Sequence, residues 1–271
     1  MNKVLISIPV RDRAWILPEY LDRISKLDLT DVEVYYYFIV DESVDDSLRV
    51  LTEITKDWVN CEVESVENDD TPPDDPSRMR SYRLKNGIYS HLKALREKIM
   101  KKGLELGVDY LFSADSDVMV EPDCLQRLLS HKLDFVYLAG VNNVEDVNSY
   151  VIAFTLKGNP NNIFSKLRIQ NIRLSGSGGL VPVLCAGTGF LVSKKVLENC
   201  SLYFEPESNA MKLLLEYNGE DVWLGVSAAL VDIPRFLDEG CICKHIYSKS
   251  KYQSEVIPVK KRKAKDVEVQ S

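Results

Sequence analysis

Short apolar runs alternate with amphipathic helical patterns through the first half of the chain, which restricts it to a mainly parallel sheet with helices packed on its faces. Residues 4–10 (VLISIPV) read as a strand, followed by Trp15, Leu17, Leu21, Ile24 and Leu27 near helical spacing. Pro18 falls in the first turn of that helix, where a missing N–H costs little. Residues 34–40 (VYYYFIV), β-branched and aromatic, run into Asp41-Glu42-Ser43-Val44-Asp45-Asp46-Ser47. Several of those side chains can cap a helix carrying Leu48, Leu51 and Ile54. Residues 61–66 make a third, shorter strand. Leu84, Ile88, Leu92, Leu95 and Ile99 recur at steps of four, four, three and four, which predicts a helix over 78–102 closed by Gly103. Residues 110–114 are then a short buried strand, and it ends on Asp115-Ser116-Asp117.

Beyond this point the pattern is more mixed. Glu121-Pro122-Asp123 opens a helix with Leu125, Leu128 and Leu129 inward. Residues 135–139, 150–155, 180–185 and 189–192 read as strands, interrupted by the Gly/Ser-rich segment 173–179. Residues 68–77 (NDDTPPDDPS) form a surface loop expected to be mobile. Residues 1–257 are expected to make one domain, with a nucleotide-binding half over 1–140 and an acceptor-binding half over 141–257. Residues 258–271, basic and without a core-forming run, are expected to be a disordered tail.

Composition excludes several classes. A chain of 271 residues that is 45% apolar can bury a full core. Its 34 basic against 41 acidic residues give a net charge of −7, so no broad cationic field suits nucleic acid. The apolar amino-terminal run is too short for a signal peptide, and no stretch reaches the roughly 18–20 apolar residues of a spanning helix. Membrane contact would be peripheral. Six cysteines lack a framework spacing, which fits a reducing cytoplasm. Cys241-Ile242-Cys243 with His245 permits a zinc reading; alternation through a strand accounts for it equally.

Two carboxylates one residue apart after a buried strand repel and desolvate poorly, unless a cation joins them. Hard oxygen ligands at the carboxyl end of a parallel strand suit Mg²⁺ or Mn²⁺, which in turn hold a diphosphate. Acidic pairs also occur in surface turns, and that alternative stays open. Glu220 and Asp221 are adjacent, so on a helix they diverge by about 100°; a helix amino terminus favours acidic residues in any case.

In these segments the sequence resembles nucleotide-sugar-dependent glycosyltransferases of the GT-A fold, in particular the large inverting family 2. ISIPVRDRAWILPEYLDRI is similar to that family's first strand and helix, and YFIVDESVDDS to its second strand and acidic turn. DYLFSADSDVMVEPDCLQRLL resembles the metal-binding strand and following helix. CAGTGFLVSKKVLE, NGEDVWLGVSAAL and the late histidine of KHIY complete the order over residues 3–247. The resemblance implies an α/β fold of GT-A type, a Rossmann-like mixed sheet flanked by helices. It implies that Asp117 ligates Mn²⁺ or Mg²⁺ directly, Asp115 contacts the ribose or the ion through water, and His245 adds a ligand.

On the same resemblance, Asp41 recognises the base or ribose with the backbone of Pro9, Val10 and Arg11; Ser116 lies on the donor side; and Asp221, with Glu220 beside it, is the general base. Gly187, Thr188 and Gly189 let backbone approach the donor and acceptor sugars, or make a tight turn. Arg78, Arg80 and Arg83 reach diphosphate oxygens or mark a solvated helix start. Trp223 stacks on the acceptor or belongs to the core. The implied reaction transfers one sugar, with inversion, from a UDP-sugar (UDP-glucose first, GDP-mannose next) to a glycan, protein or small-molecule hydroxyl. The turn reads Asp-Glu-Ser where many members have two aspartates, and the Gln/Arg-rich motif of processive synthases is absent. The rivals are a nucleotidyltransferase, which would carry a Gly-rich loop where residues 9–14 have no glycine, and a catalytically silent carbohydrate-binding protein.

Overall fold

A computed structural model describes residues 1–67, 88–141, 150–157, 168–173, 177–205 and 219–246, with positions 211, 215, 248 and 249. The 68–77 loop, Arg78, Arg80, Arg83 and the 258–271 tail lie outside the described residues. In chain order the elements are β1 (Asn2–Val10), α1 (Leu17–Ser25), β2 (Val32–Asp41), α2 (Ser47–Thr55), β3 (Cys61–Val66), α3 (Ile88–Leu106) and β4 (Tyr110–Ala114). Then come β5 (Val118–Met119), α4 (Cys124–Ser130), β6 (Phe135–Val141), β7 (Tyr150–Lys157), β8 (Arg168–Arg173), β9 (Leu180–Pro182) and β10 (Cys185–Ala186). The last are β11 (Gly189–Ser193), α5 (Lys194–Asn199), α6 (Glu220–Leu230) and β12 (Phe236–His245).

β1 has no solvent face: Val4, Leu5, Ile6, Ile8 and Val10 are fully buried, as befits a parallel strand covered on both sides. It pairs in parallel with β2 (Val10 opposite Val40) and with β4 (Ile6 opposite Phe112), and β2 pairs in parallel with β3. β11 then runs antiparallel between β4 and β6, so one mixed sheet passes through both halves of the chain. Alternation along β1 separates two apolar layers. Leu5 packs with Leu95, Ile99, Leu197 and Val222 of α3, α5 and α6; Val4 and Ile6 pack with Leu17, Leu21, Leu51 and Leu125 of α1, α2 and α4. Each such fully buried aliphatic side chain contributes about 1.5–3 kcal/mol by removal from water. No described helix is long and apolar enough to cross a membrane.

Two expectations need correction, that Gly103 closes α3 and that residues 180–185 make one strand. Gly103 does not close α3, which continues to Leu106. The break comes at Gly107, whose φ of 65° suits a C-terminal glycine, while at Gly103 a Cβ would stand 3.0 Å from Leu197 Cδ1, so packing of α5 accounts for that glycine. The acidic turn supplies a cap to α2 through Asp45, whose Oδ1 accepts Ser47 N–H (2.9 Å), while Asp46 at the N-cap pairs with Arg49 at 3.0 Å. The strand expected over 180–185 is two pieces, because Val183 N–H donates to Arg235 O and Leu184 N–H to Phe154 O, two different neighbours.

β12 runs parallel to β6 with a register break between Asp238 and Ile242. The fully buried Asp238 holds that break: it accepts both Nε (2.6 Å) and Nη2 (2.8 Å) of Arg127, contacts His131 Nε2 at 2.8 Å and accepts Gly240 N–H. Burial pushes the Asp238 pKa up, but Arg127 and His131 outweigh it and the carboxyl lies below its usual range. After the break, Cys241 and Cys243 are buried and Ile242 is exposed, so strand alternation accounts for that pair. Cys241 Sγ lies 2.8 Å from Cys124 Sγ.

Gly189 has a φ of 153°, and a Cβ there would meet Ser113 O at 2.5 Å and Ala114 Cα at 2.9 Å. Both are backbone atoms of β4 and cannot yield. Gly189→Ala should therefore destabilise the protein by roughly 1–3 kcal/mol, read as a lower urea midpoint; an unchanged midpoint would show that β4 and β11 are not packed this closely.

Candidate active site

β1, β2 and β4 are parallel, so their carboxyl ends share one sheet edge, the edge on which open α/β sheets bind ligands. The loops leaving β1 and β2 are laced together. Asp12, at φ 51°, donates its N–H to Ser43 Oγ (3.0 Å) and accepts Val44 N–H (2.8 Å). Asp45 Oδ2 accepts Ala14 N–H (3.0 Å), and Ser47 Oγ accepts Arg13 N–H (2.8 Å). Much of the acidic turn is therefore occupied with backbone donors. Asp41 differs: it is 2% exposed, with His91 Nε2 at 2.6 Å from one carboxylate oxygen and Arg11 Nη1 at 3.5 Å from the other. Pro9 and Val10 form the end of β1, and the Val10 side chain is fully buried.

At the end of β4 a tight turn sets the two aspartates apart in environment. Asp115 N–H donates to Thr188 O (3.1 Å), and Val118 N–H to Asp115 O (2.8 Å). Asp117 is 5% exposed, with Arg13 Nη2 at 3.2 Å from Oδ2 and His245 Nε2 at 3.4 Å from Oδ1. β12 delivers that histidine, since His245 pairs with Val118 and Ile246 N–H donates to Asp117 O. Burial would raise the Asp117 pKa, but the bond to His245 and the charge of Arg13 bring it below the ordinary carboxylate value. The Asp115 side chain keeps 33% of its surface open. It accepts Arg96 Nη2, yet its pKa is raised, first by burial among protein atoms, against the pull of Arg96, and further by Asp117 and Glu220. Ser116 between them is buried.

Glu220 and Asp221 open α6, whose N-cap Gly219 supplies no side-chain cap. Burial, then the neighbouring Glu220, then Asp115, push the Asp221 pKa up to about 7. Glu220 Oε1 lies 3.7 Å from Arg96 Nε. α6 docks where Gly225 meets Leu184 O, which a Cβ would approach to 2.3 Å. The site therefore contains Arg13, His91 and Arg96, none of which the motifs identify. Arg96 alone carries a local signal, a charge on the apolar stripe marked by Leu92, Leu95 and Ile99.

Other expected residues sit in packed surroundings. Lys93 Nζ lies 3.6 Å from the centroid of the Trp223 ring, Phe204 packs beside it, and the indole N–H donates to Leu215 O. Thr188, 1% exposed, lies in contact distance of Gly140, and Gly189 is pressed on β4; the role visible for this turn is the Thr188 carbonyl that orients Asp115.

Among the described residues no three His, Cys, Asp or Glu side chains gather closely enough to cage an ion by themselves. Mg²⁺ and similar hard cations commonly take one or two carboxylates and complete their shell with phosphate oxygens and water. The open Asp115 carboxylate beside Asp117 fits that mode.

The model described as glycosyltransferase family 25, N-terminal domain, matches residues 1–217. A glycosyltransferase 25 family member of Drosophila melanogaster is 28% identical over 139 residues, 49% of this chain and 22% of that protein. One of Drosophila pseudoobscura pseudoobscura is 25% identical over 133 residues, 47% of this chain and 21% of the relative. The matched part thus spans about a fifth of the length of these relatives. Among solved structures, S. aureus TarS aligns with a TM-score of 0.54 at 16% identity, over 94% of this chain and 38% of that one. GalNAc-T7 with UDP, GalNAc and Mn²⁺ aligns at 0.56 and 12% identity, over 91% and 44%. The mannosyltransferase PcManGT from Pyrobaculum calidifontis, in complex with GDP-Man and Mn²⁺, aligns at 0.52 and 13% identity, over 93% and 59%. The shared feature is the fold, a mixed sheet flanked by helices of GT-A type.

Proposed function

This chain belongs to glycosyltransferase family 25, and from that premise we propose that it transfers one sugar from a nucleotide-diphosphate donor to an acceptor hydroxyl, with inversion and with Mn²⁺ or Mg²⁺. The observation that carries the reading is that Arg96 joins Asp115, on the sheet edge where Asp117 also lies, to Glu220 at the start of α6. A UDP-sugar is the preferred donor, UDP-glucose first and GDP-mannose next. TarS has been solved with UDP, GalNAc-T7 with UDP and Mn²⁺, and PcManGT with GDP-Man and Mn²⁺. That one sheet threads both halves supports reading residues 1–257 as one catalytic unit.

In this account Asp41, fixed by His91 and Arg11, receives the nucleoside, and Arg13 and His245 hold Asp117 ionised and oriented. A divalent ion bound at Asp115 and Asp117 would supply Lewis-acid stabilisation to a departing diphosphate. Asp221 takes the acceptor hydroxyl proton. A base with a pKa of about 7 combines a substantial ionised fraction at neutral pH with useful basicity, the compromise that favours proton transfer. Glu220 diverges from it around the helix and lies 3.7 Å from Arg96, which supports Asp221 as the base with Glu220 beside it. Inversion follows from placing base and leaving group on opposite faces of the sugar.

The test needs no acceptor, because water replaces one slowly. UDP-sugars and GDP-sugars are incubated with the protein and Mn²⁺, and released nucleoside diphosphate is counted. Release from a UDP-sugar that stops with a chelator is the expected result, and an NMR spectrum of the first-formed sugar gives its anomeric configuration. No release from any donor, or pyrophosphate release from a nucleoside triphosphate instead, would overturn the reading.

A further inference from the structure

We propose that Arg96 is a positioning residue that locks the first turn of α6 onto the carboxyl end of β4 and so fixes the separation between the Asp115 and Glu220 carboxylates. Its side chain is 9% exposed and each nitrogen of the fork has its own partner. Nη1 donates to the buried Ser113 Oγ inside β4, Nη2 donates to Asp115 at the end of that strand, and Nε lies 3.7 Å from Glu220 Oε1 on α6. The guanidinium also stands 5.7 Å from the centroid of Phe190 on β11. Because the fork is planar and rigid, the α6 contact cannot shift without disturbing the two β4 contacts. Gly219 gives the first turn of α6 no side-chain cap; the buried Val222 and the Trp223 indole N–H to Leu215 O seat that turn on the core, and Arg96 adds a tie to β4.

A lysine supplies the charge but not the geometry: one ammonium on a flexible stem cannot satisfy Ser113, Asp115 and Glu220 together. The lock is a statement about structure, and only its kinetic consequence rests on the function proposed above. The two are separable by experiment. The chain has three tryptophans, Trp15, Trp58 and Trp223; Trp15 and Trp58 pack in the layer on the other side of the sheet, and Trp223 lies on α6. Labelled with 5-fluorotryptophan, the full chain gives three ¹⁹F signals, one of which reports on α6.

In Arg96→Lys the Trp223 signal should shift or broaden while those of Trp15 and Trp58 stay in place. Donor hydrolysis should lose roughly 10- to 100-fold in kcat, the effect of a misplacement near an ångström. KM for the nucleotide-sugar should stay within about threefold, the split that marks lost transition-state alignment rather than lost binding. A Trp223 signal identical to wild type would overturn the lock whatever the chain catalyses. So would a rise in KM with kcat unchanged. Where Arg96→Lys fails to fold and all three signals collapse, Arg96→Gln with Asp115→Asn removes both members of the ion pair, so that no charge is left without its partner. That double variant should fold with Trp223 still displaced, and a wild-type Trp223 signal there would sink the proposal. Displacement of Trp223 in a protein whose wild type hydrolyses no donor would leave the lock standing and remove the glycosyltransferase reading alone.

Discussion

Asp221→Asn should leave metal-dependent nucleotide binding intact and reduce sugar transfer by about 10²- to 10⁴-fold, the contribution of a positioned general base. The substitution keeps the side chain's shape at the start of α6 and removes its negative charge and its capacity to accept a proton. Wild-type kcat should rise with pH through about 7, where Asp221 ionises, and the Asn variant should lose that limb. Stability should move the opposite way. A folded pKa raised above the unfolded value gives stability that is full below the unfolded pKa and is lost as pH rises through the folded one. Ionised Asp221 is thus a burden at pH 8, and Asp221→Asn should melt at a higher temperature than wild type there. The difference should shrink towards pH 4. An Asn variant that transfers sugar at the wild-type rate would move the base elsewhere.

Asp117→Asn should abolish the enhancement of nucleotide binding by Mn²⁺ and reduce turnover by about 10³-fold or more. Lewis-acid stabilisation is worth several kcal/mol, and each 1.4 kcal/mol is a factor of ten in rate. Asparagine keeps the shape beside Arg13 and His245 but halves the oxygen ligands and removes the charge. Its ionised state in the wild type is already secured by those two neighbours. Calorimetric titration of the variant with UDP, with and without Mn²⁺, gives the answer directly. A persisting metal effect would assign the ion to Asp115 alone.

The residues that were readable from the chain are those whose physics is local. The run ending at Ala114 must be buried by its composition, and Asp115 and Asp117 follow it covalently, so their place at the sheet edge follows from strand direction. Alternation through β12 is likewise a short-range property, and it puts Cys241 and Cys243 inward without any metal. Gly103 and Gly107 look alike in sequence because only tertiary packing separates them: one makes room for Leu197, and the other adopts the backbone angle that ends α3. The pairings that set the chemistry are long-range. Arg13 reaches Asp117 across 104 positions, and His91 reaches Asp41 across 50; no spacing rule connects such partners. Glu220 and Asp221 were legible as an acidic helix start, and the repulsion from Glu220 is local, but the pKa of about 7 comes first from burial, then from Glu220 and then from Asp115, and only the folded chain supplies the burial and brings Asp115 near.

We propose that the edge formed by Asp41, Asp115 and Asp117 holds a nucleotide diphosphate together with a divalent cation. Titration of the wild-type chain with UDP and with GDP, each in the presence of Mn²⁺ and of a chelator, tests it most directly. UDP should bind at least about tenfold more tightly with Mn²⁺ than without, since a divalent ion held by Asp115 and Asp117 would attract the diphosphate, and GDP should gain less. Equal affinities with and without the metal for both nucleotides would contradict it.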